Sequence, residues 1–292
     1  MQIVIGVPAY NEEKNIASII TKLQSITDKI IVCNDGSSDM TGQIAEKMGA
    51  IVINHPKNMG YGAAIRSLFL KAHDLNTDVF VTFDADGQHR IEDISKVIEP
   101  ITSGKADIVI GSRFLGDSDE VPTYRKLGIS AITKMTNVTT KQKITDSQSG
   151  FRAYNRKSIQ EVTPSESGMG VSTEILIKAD RKDLKILEVP IKILYQGDTS
   201  THNSVGHGVS VILSTMKFIS IEHPLKFYCI PGIIFLAIGL YFTVWTIQSF
   251  TESRQILTNL ALIGIGSIIL GAMLTMTSIM LFSITTLIRE KE

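Results

Sequence analysis

The chain has 292 residues, and its 29 basic and 29 acidic side chains give a formal net charge of zero. That length is enough for one large domain or two small ones with a substantial core. Because the chain has no overall positive field, its composition argues against nucleic-acid binding. The two cysteines, Cys33 and Cys229, predict neither a disulfide nor a zinc site.

Strands and helices are predicted to alternate through the first part of the chain. Runs rich in β-branched residues predict strands at 2–7, 29–33, 50–53, 78–83, 107–111 and 186–194. Helices are expected at 12–26, 40–48, 61–75 and 91–103. This alternation predicts an α/β fold with a mostly parallel sheet covered on both faces. In such sheets ligands bind beyond the carboxyl ends of the strands.

Acidic residues follow the predicted fourth strand in the segment TFDADGQH. Asp84 and Asp86 lie one residue apart, so their charges repel unless water or a cation compensates them. Carboxylate and amide oxygens suit Mg²⁺ or Mn²⁺, and Asp86 and Gln88 face the same side of an extended segment. On its own, Asp-x-Asp fits a structural turn with solvated acids better than a metal site, so the metal hypothesis depends on the neighbouring loops.

Three other loops have both a functional and an ordinary interpretation. Asp35, in NDGSSD, can accept hydrogen bonds from a ribose or a base, or belong to a turn and helix cap. Arg113 can bind phosphate bidentately, or form a surface ion pair. The glycines of NMGYG, at 58–62, permit close approach to a ligand, or simply a turn into a helix. Taken together, metal, acid and arginine indicate a diphosphate leaving group.

A basic segment at 121–144 contains several Lys and Arg residues and no acid. Ile129, Ile132, Met135 and Val138 recur there at a helix-like spacing. This pattern is typical of an amphipathic helix on a membrane surface, and equally of a helix that packs on a core with its basic face in solvent.

The C-terminal part has the composition of a membrane domain. Between residues 227 and 288 the only Asp, Glu, Lys or Arg side chains are Glu252 and Arg254. Two apolar segments, at about 227–250 and about 256–288, exceed the roughly 20 residues that cross a bilayer. We therefore predict two transmembrane helices; the alternative is a pair of buried helices in a soluble protein.

Basic residues beside these segments predict their orientation. Lys217, Lys226, Arg289 and Lys291 flank the outer ends of the pair, whereas the connection offers only Arg254. The positive-inside rule then places both termini in the cytosol. The segment MQIVIGVPAYNEE lacks the features of a cleaved signal. We expect a multi-pass protein of the cell membrane in a prokaryote, or of the endoplasmic reticulum in a eukaryote.

Three regions are expected along the chain. A cytosolic catalytic domain occupies 1–205, a juxtamembrane amphipathic helix 206–223 and a membrane domain 224–292. The juxtamembrane helix is predicted from Val209, Ile212, Leu213, Met216 and Ile219, which mark one helix face directly before the first span.

Several motifs together carry a family resemblance. VPAYNEEKNI, VCNDGSSDMT, NMGYGAAIR, FDADGQH, GSRF, DSQSGFRAYNR and EVPI occur in this order over roughly residues 1–200. They resemble the inverting family 2 glycosyltransferases of GT-A fold. More narrowly, they are similar to the dolichyl- or polyprenyl-phosphate hexose synthases, such as dolichol-phosphate mannose and glucose synthases. The resemblance implies a nucleotide-sugar donor, a Mg²⁺ or Mn²⁺ ion, and transfer of one hexose to dolichyl or polyprenyl phosphate for glycan assembly.

The resemblance also implies roles for individual residues. Nucleotide-sugar binding is implied for Pro8, Tyr10, Glu12, Asp35, Asp84, Ala85, Asp86, Gln88, Asp146, Gln148 and Ser149. Metal binding is implied for Asp84, Asp86 and Gln88, and catalysis for Asp84, Asp86, Arg113 and Arg125. The acceptor phosphate is expected at Arg113 and Arg125. Where many relatives have a serine this chain has Ile129, so the contact would fall to the adjacent Ser130, and this assignment stays open.

The chemistry expected of such a site needs no strong base, because a lipid phosphate is already nucleophilic at neutral pH. The histidines are therefore expected at the surface, in turns or at helix ends, and His89 is the one worth testing as a ligand. This expectation covers five of the six histidines: His55, His73, His89, His202 and His207. The chain lacks the Gln-x-x-Arg-Trp motif of processive synthases, which indicates transfer of a single sugar.

Two other functions remain open from the sequence. One is a membrane-anchored glycosyltransferase that modifies a glycan or a protein. The other is a catalytically silent membrane protein that serves as a scaffold or assists lipid translocation. The sequence does not choose among UDP-glucose, UDP-N-acetylglucosamine and GDP-mannose as donor, and a homo-oligomer is compatible with it.

Overall fold

A computed structural model describes residues 1–115, 123–193, 213, 216–217, 219–221, 223–254 and 257–289. The chain divides into two compact units, Met1–Thr215 and Met216–Glu292. Most of the predicted juxtamembrane helix at 206–223 lies outside the described residues.

The first unit is built on a seven-stranded sheet. Its strands are β1 (Ile3–Ala9), β2 (Ile30–Asn34), β3 (Ile51–Asn54), β4 (Val79–Thr82), β5 (Ile108–Ser112), β6 (Arg152–Asn155) and β7 (Ile186–Pro190). Their spatial order is β3-β2-β1-β4-β6-β5-β7. Neighbouring strands are parallel except at β6, which runs antiparallel to β4 and β5. The predicted mostly parallel α/β sheet is confirmed.

Helices cover both faces of this sheet. They are α1 (Ile16–Leu23), α2 (Thr41–Lys47), α3 (Tyr61–Asp74), α4 (Ile94–Thr102), α5 (Thr123–Thr139), α6 (Arg156–Glu161) and α7 (Val171–Arg181). Successive strand residues point to opposite faces, so each strand contributes to two cores. Val4 packs in the cluster that contains Phe69 of α3, whereas Ile5 packs in the cluster that contains Ile20 of α1.

Strand β6 was not predicted, although it decides how the site is assembled. The four residues RAYN include a charged and an amide side chain and no β-branched residue, so they lack a strand pattern. Arg152, at the start of β6, pairs with Thr82 near the end of β4 and with Ile110 of β5. Because β6 is antiparallel, the residues just before it arrive where β4 and β5 end.

The basic segment forms α5, and its row of apolar residues is buried only in part. Ile132 and Thr136 are buried, whereas Val138 is 66% exposed. A strict spacing of three residues drifts by about 60° per step around an α-helix. The row therefore winds around the helix, and Ile132 and Val138 lie on different faces.

The second unit contains two long helices, α8 (Ile230–Ser253), preceded by a π-helical turn at Leu225–Cys229, and α9 (Thr258–Arg289). The stretches Leu225–Ser253 and Thr258–Leu287 are long and apolar enough to cross a membrane. Only 11% of the most apolar window of each is buried, whereas a core helix of a soluble protein would be mostly buried. A Cβ at Gly239 would lie 2.8 Å from the Gly264 carbonyl oxygen, so the two backbones pack closely.

Candidate functional site

The polar residues singled out from the sequence gather at one edge of the sheet. Ala9 of β1 pairs with Asn34 of β2, and Gly6 of β1 pairs with Thr82 of β4. The loops after β1, β2 and β4 therefore begin at about the same level. The segment before β6 joins them there, and so does the loop after β5.

Asp84 is held from two sides. The Tyr61 hydroxyl donates to Oδ1 at 3.1 Å, and Nε2 of His89 lies 3.3 Å from Oδ2. Burial raises the pKa of Asp84, but the hydrogen bond and charge of His89, with the Tyr61 hydrogen bond, outweigh burial and leave the pKa below its usual value. Asp84 is therefore ionised at neutral pH.

Asp86 has the opposite electrostatic environment. Its Oδ1 accepts a hydrogen bond from the backbone N–H of Gln88 at 3.0 Å. Burial, and next the negative charge of Asp84, raises the pKa of Asp86. The pKa of Glu12 is also raised, first by burial and then by several acids that include Asp86 and Asp84. Excess negative charge therefore accumulates among these three carboxylates.

These residues fit a divalent ion that is shared with a ligand. Among the described residues, no three His, Cys, Asp or Glu side chains form a group that could hold a metal ion. Mg²⁺ commonly binds one or two carboxylates and takes its remaining ligands from water and substrate phosphates. Asp86, Gln88 and the adjacent Asp84 supply oxygen donors of that kind, and a cation would relieve the repulsion that raises the pKa of Asp86.

Asp35 is buried and organises the loop at 58–60. Its Oδ1 accepts from the Met59 N–H and its Oδ2 from the Gly60 N–H, both at 2.9 Å. Nδ1 of His55 lies 2.6 Å from the same Oδ1, and Nε2 of His55 lies 2.9 Å from the Ser67 hydroxyl. Asp35 thus shapes the predicted nucleotide subsite through the backbone around it.

The histidines were expected at the surface, in turns or at helix ends. His55 and His89 lie in the loops after β3 and β4, and their side chains are only 8% and 6% exposed, so neither is at the surface. His73 is exposed. His202 and His207 lie outside the described residues.

The glycines of NMGYG allow another segment of the same chain to pack closely against this loop. A Cβ at Gly60 would lie 2.6 Å from the Ser167 carbonyl oxygen, and one at Gly62 would collide with the Glu166 carbonyl oxygen. Gly60 also has a φ of 98°, which favours glycine. These glycines therefore pack against 166–168, and the ordinary interpretation as a turn into a helix fits them.

Arg113 and Asp146 form a buried ion pair. Nε and Nη2 of Arg113 donate to the two carboxylate oxygens of Asp146 at 2.6 and 2.7 Å, and the Arg113 backbone N–H adds a third bond at 3.1 Å. Asp146 is fully buried. Glu188 of β7 accepts from the Asp146 backbone N–H at 2.9 Å and fixes this segment from behind.

Arg152 holds the residues after Asp146 in place by hydrogen bonds to their backbone. Its guanidinium donates to the carbonyl oxygens of Ser147, Ser149 and Ser172 at 2.8 to 3.1 Å. Gln148 donates to the Thr173 hydroxyl at 3.2 Å. The buried Ser149 hydroxyl has no hydrogen-bond partner among the described residues, so the site contains a polar group that a ligand can satisfy.

The remaining predicted site residues lie in different surroundings. Pro8 is buried near the end of β1, Ala85 is buried in the loop after β4, and Tyr10 is 38% exposed. Ser130 lies half-buried on α5. The backbone of Arg125 belongs to α5, but its side chain lies outside the described residues, so its predicted phosphate contact stays a prediction.

Sequence reasoning missed four residues that support the site: Tyr61, His55, Arg152 and Glu188. Their contacts join segments that are distant in sequence. Tyr61 and Arg152 lie inside NMGYGAAIR and DSQSGFRAYNR, and Glu188 begins EVPI. Membership of these motifs was the only feature of the sequence that could have pointed to these three residues.

Solved structures of glucosyl-3-phosphoglycerate synthase from Mycobacterium tuberculosis share this fold. One, in complex with Mn²⁺, UDP and phosphoglyceric acid, matches with a TM-score of 0.56 and 20% identity over 74% of this chain and 78% of that chain. Another contains Mg²⁺ and UDP and matches with a TM-score of 0.55 at 19% identity. At this identity the likeness establishes the fold, which is of the GT-A class of glycosyltransferases.

The chain belongs to glycosyl transferase family 2, whose model matches residues 4–163. A UDP-N-acetylglucosamine–dolichyl-phosphate N-acetylglucosaminyltransferase of Methanococcus voltae is 34% identical over 73% of this chain and 91% of its own length. A dolichyl-phosphate hexose transferase of Haloferax volcanii is 31% identical over 74% and 92%. A dolichol-phosphate mannosyltransferase of Pyrococcus furiosus is 36% identical over 65% and 56%. The resemblance drawn from the motifs is confirmed.

Proposed function

We propose that this protein transfers one sugar from a nucleotide sugar to dolichyl or another polyprenyl phosphate, with inversion at the anomeric carbon. The observation that carries this proposal is that the Arg113–Asp146 ion pair lies close enough to the acidic pair Asp84–Asp86 for the charge of Arg113 to help lower the pKa of Asp84. The two apolar helices suit a lipid acceptor. The names of the relatives support the same acceptor.

The donor occupies the acidic side of the site. Asp86 and Gln88 are the residues that would hold a Mg²⁺ or Mn²⁺ ion, with Asp84 beside them. When bound, such an ion supplies positive charge next to the departing diphosphate. Asp35, with Pro8, Tyr10 and Glu12 on the neighbouring loop, forms the nucleotide subsite, and the Ser149 hydroxyl faces the sugar.

The acceptor phosphate lies against Arg113, which Asp146 holds in a fixed orientation, and against Arg125 and Ser130 of α5. A phosphate oxygen attacks the anomeric carbon, and the bond from that carbon to the nucleoside diphosphate breaks. No side chain has to remove a proton, because the phosphate is already ionised. Positioning and charge neutralisation supply most of the rate enhancement.

The two spans hold the acceptor and the enzyme in the same membrane, with the catalytic unit and both termini in the cytosol. Arg254 is the one basic residue in the short connection between the spans, in agreement with the positive-inside rule. Labelling of cysteines introduced beside Arg254 and near the C-terminus tests this orientation, because a reagent that cannot cross the membrane should reach only the first.

The test of function is a transfer assay on membranes that contain the full chain. Polyprenyl phosphate and Mn²⁺ are combined in turn with UDP-glucose, UDP-N-acetylglucosamine and GDP-mannose, and the lipid-linked product is measured. Asp86→Ala should abolish transfer and leave membrane insertion intact. Asp74→Ala is the matched control, because the Asp74 side chain is 71% exposed on α3. Turnover retained by Asp86→Ala would refute the metal assignment, and sugar found only on glycan or protein would refute the lipid acceptor.

A further inference from the structure

Three segments of the chain contact the Asp84 side chain. Tyr61 begins α3, His89 lies in the loop after β4, and Gly150 lies two residues before the start of β6. A Cβ at Gly150 would lie 2.8 Å from Oδ2 of Asp84 and would collide with the Tyr61 hydroxyl. The Thr82 hydroxyl donates to the Gly150 carbonyl at 2.6 Å and keeps this close approach in place. Each carboxylate oxygen of Asp84 thus has a donor from the chain itself.

Tyr61 also links the two predicted halves of the donor site. The two residues before it, Met59 and Gly60, give their backbone N–H groups to Asp35. The Tyr61 hydroxyl then reaches Asp84. The segment 59–61 therefore forms one connection from the nucleotide-facing acid to the metal motif, and its geometry fixes the two carboxylates relative to each other.

The His89 ring is held in place chiefly by aromatic packing. Its centroid lies 5.8 Å from that of Phe83 and 5.1 Å from that of Phe151. Because a carboxylate only accepts, Nε2 carries the proton that is shared with Asp84. Nδ1 is buried without a hydrogen-bond partner among the described residues. A buried nitrogen without a hydrogen-bond partner lowers stability, so aromatic packing alone would favour a residue without that nitrogen. The contact between Nε2 and Asp84 is what requires a histidine at this position.

We propose that Tyr61 and His89 are positioning residues for the metal motif: they hold Asp84 from both sides, so that Asp86, two residues later, presents its carboxylate to the ion and the diphosphate. This inference rests on the proposed function, since it assumes that a metal-bound nucleoside diphosphate occupies the site. Neither residue takes part in bond making or breaking.

The test measures Mn²⁺-dependent binding of UDP and of GDP to the full-length protein in detergent micelles, by calorimetry. Tyr61→Phe keeps the ring and removes only the hydroxyl, and His89→Leu removes the donor to Asp84. Each should weaken the Mn²⁺-dependent binding by about tenfold, as expected for a lost hydrogen bond to a charged group. His89→Gln keeps a donor near Nε2 and should restore most of the affinity. His73→Gln, on the exposed side of α3, is the matched control and should change nothing.

A double variant separates positioning from loss of folding. If Tyr61 acts through Asp84, Tyr61→Phe should weaken binding much less in an Asp84→Asn background than in the unmodified chain. Additive effects, or a lower melting temperature of the metal-free protein with unchanged Mn²⁺ affinity, would overturn the inference. The binding measurement contains no lipid, so failure of transfer to polyprenyl phosphate would refute the proposed acceptor while leaving this result interpretable. No Mn²⁺-dependent binding of either nucleotide to the unmodified protein would overturn both.

Discussion

Replacing Asp146 by asparagine tests the ion pair that orients Arg113. Asparagine preserves the shape of the side chain but removes its charge, and its amide group can donate where Arg113 also donates. Two charge-assisted hydrogen bonds, at 2.6 and 2.7 Å, lose their ionic character. Arg113 is left near a neutral group in a largely buried position.

The loss of stability expected for Asp146→Asn depends on how deeply the ion pair is buried. Removing one partner of a fully buried ion pair costs about 3–5 kcal/mol. The Arg113 side chain is 17% exposed and Asp146 is fully buried, so solvent can recover part of the lost interaction. We therefore expect the free energy of unfolding to fall by about 2–3 kcal/mol. In the transfer assay, the KM for polyprenyl phosphate should rise more than the KM for the nucleotide sugar, because the proposed function places the acceptor phosphate against Arg113.

Cys33 provides the measurement of stability. It is fully buried in β2, and burial, then the charge of Asp35, raises the pKa of its thiol to about 12. The thiol is therefore unreactive until the first unit unfolds. In a Cys229→Ala background, maleimide labelling against denaturant concentration reports unfolding of this unit.

The matched control is Asp183→Asn, which removes an exposed ion pair with Lys141 at 2.8 Å. Exposed pairs contribute little to stability, so the labelling curve of this variant should coincide with that of the parent. Should Asp146→Asn unfold at the same denaturant concentration as Asp183→Asn, Asp146 would not hold Arg113 in solution.

Three other outcomes are expected. Chelation of divalent ions should abolish transfer, and added Mn²⁺ or Mg²⁺ should restore it, as measured by lipid-linked product; full activity in excess chelator would contradict the ion site. Gly62→Ala should lower the free energy of unfolding by about 1–3 kcal/mol, because its Cβ would collide with the Glu166 carbonyl; an unchanged labelling curve would show that 166–168 yields freely. Burial raises the pKa of Glu188, so the folded state binds the proton of the Glu188 carboxyl group more tightly than the unfolded chain does. The free energy of unfolding should therefore fall as the pH rises from 4.5 through the pKa of the folded state. Glu188→Gln should remove that slope from unfolding curves recorded between pH 4.5 and 7; an unchanged slope would assign it to other groups.

Elements formed by local patterns were predictable from the sequence. The predicted strand at 29–33 is β2 (Ile30–Asn34), and the predicted helix at 61–75 is α3 (Tyr61–Asp74), because each has a continuous apolar run or a helical periodicity. The acids of DADGQH could be placed at a strand end for the same reason. Such patterns report burial within one segment and nothing about its neighbours.

The pairings inside the site could not be predicted in this way. Arg113 meets Asp146 across 33 residues, and Tyr61 meets Asp84 across 23. Both contacts depend on where the chain returns to the sheet. For Asp146, strand β6 decides that return, and its four residues carry no strand pattern. The resemblance assigned the segment of Asp146 to the site, whereas the bond between Asp146 and Arg113 could be seen only from the sheet order.

The charge balance of the site explains why a cation and the donor should enter together. Glu12, Asp84 and Asp86 bring three carboxylates to one edge of the sheet, and burial, followed by the charges of neighbouring acids, raises the pKa values of Glu12 and Asp86. The nearby charge of Arg113 is already neutralised by Asp146. A diphosphate approaching alone would add negative charge to a site that has too much, whereas an ion bound to both the diphosphate and Asp86 lowers the energy of each. In the proposed function, the ion pair therefore keeps Arg113 oriented for the acceptor phosphate, and a bound metal ion would neutralise the donor.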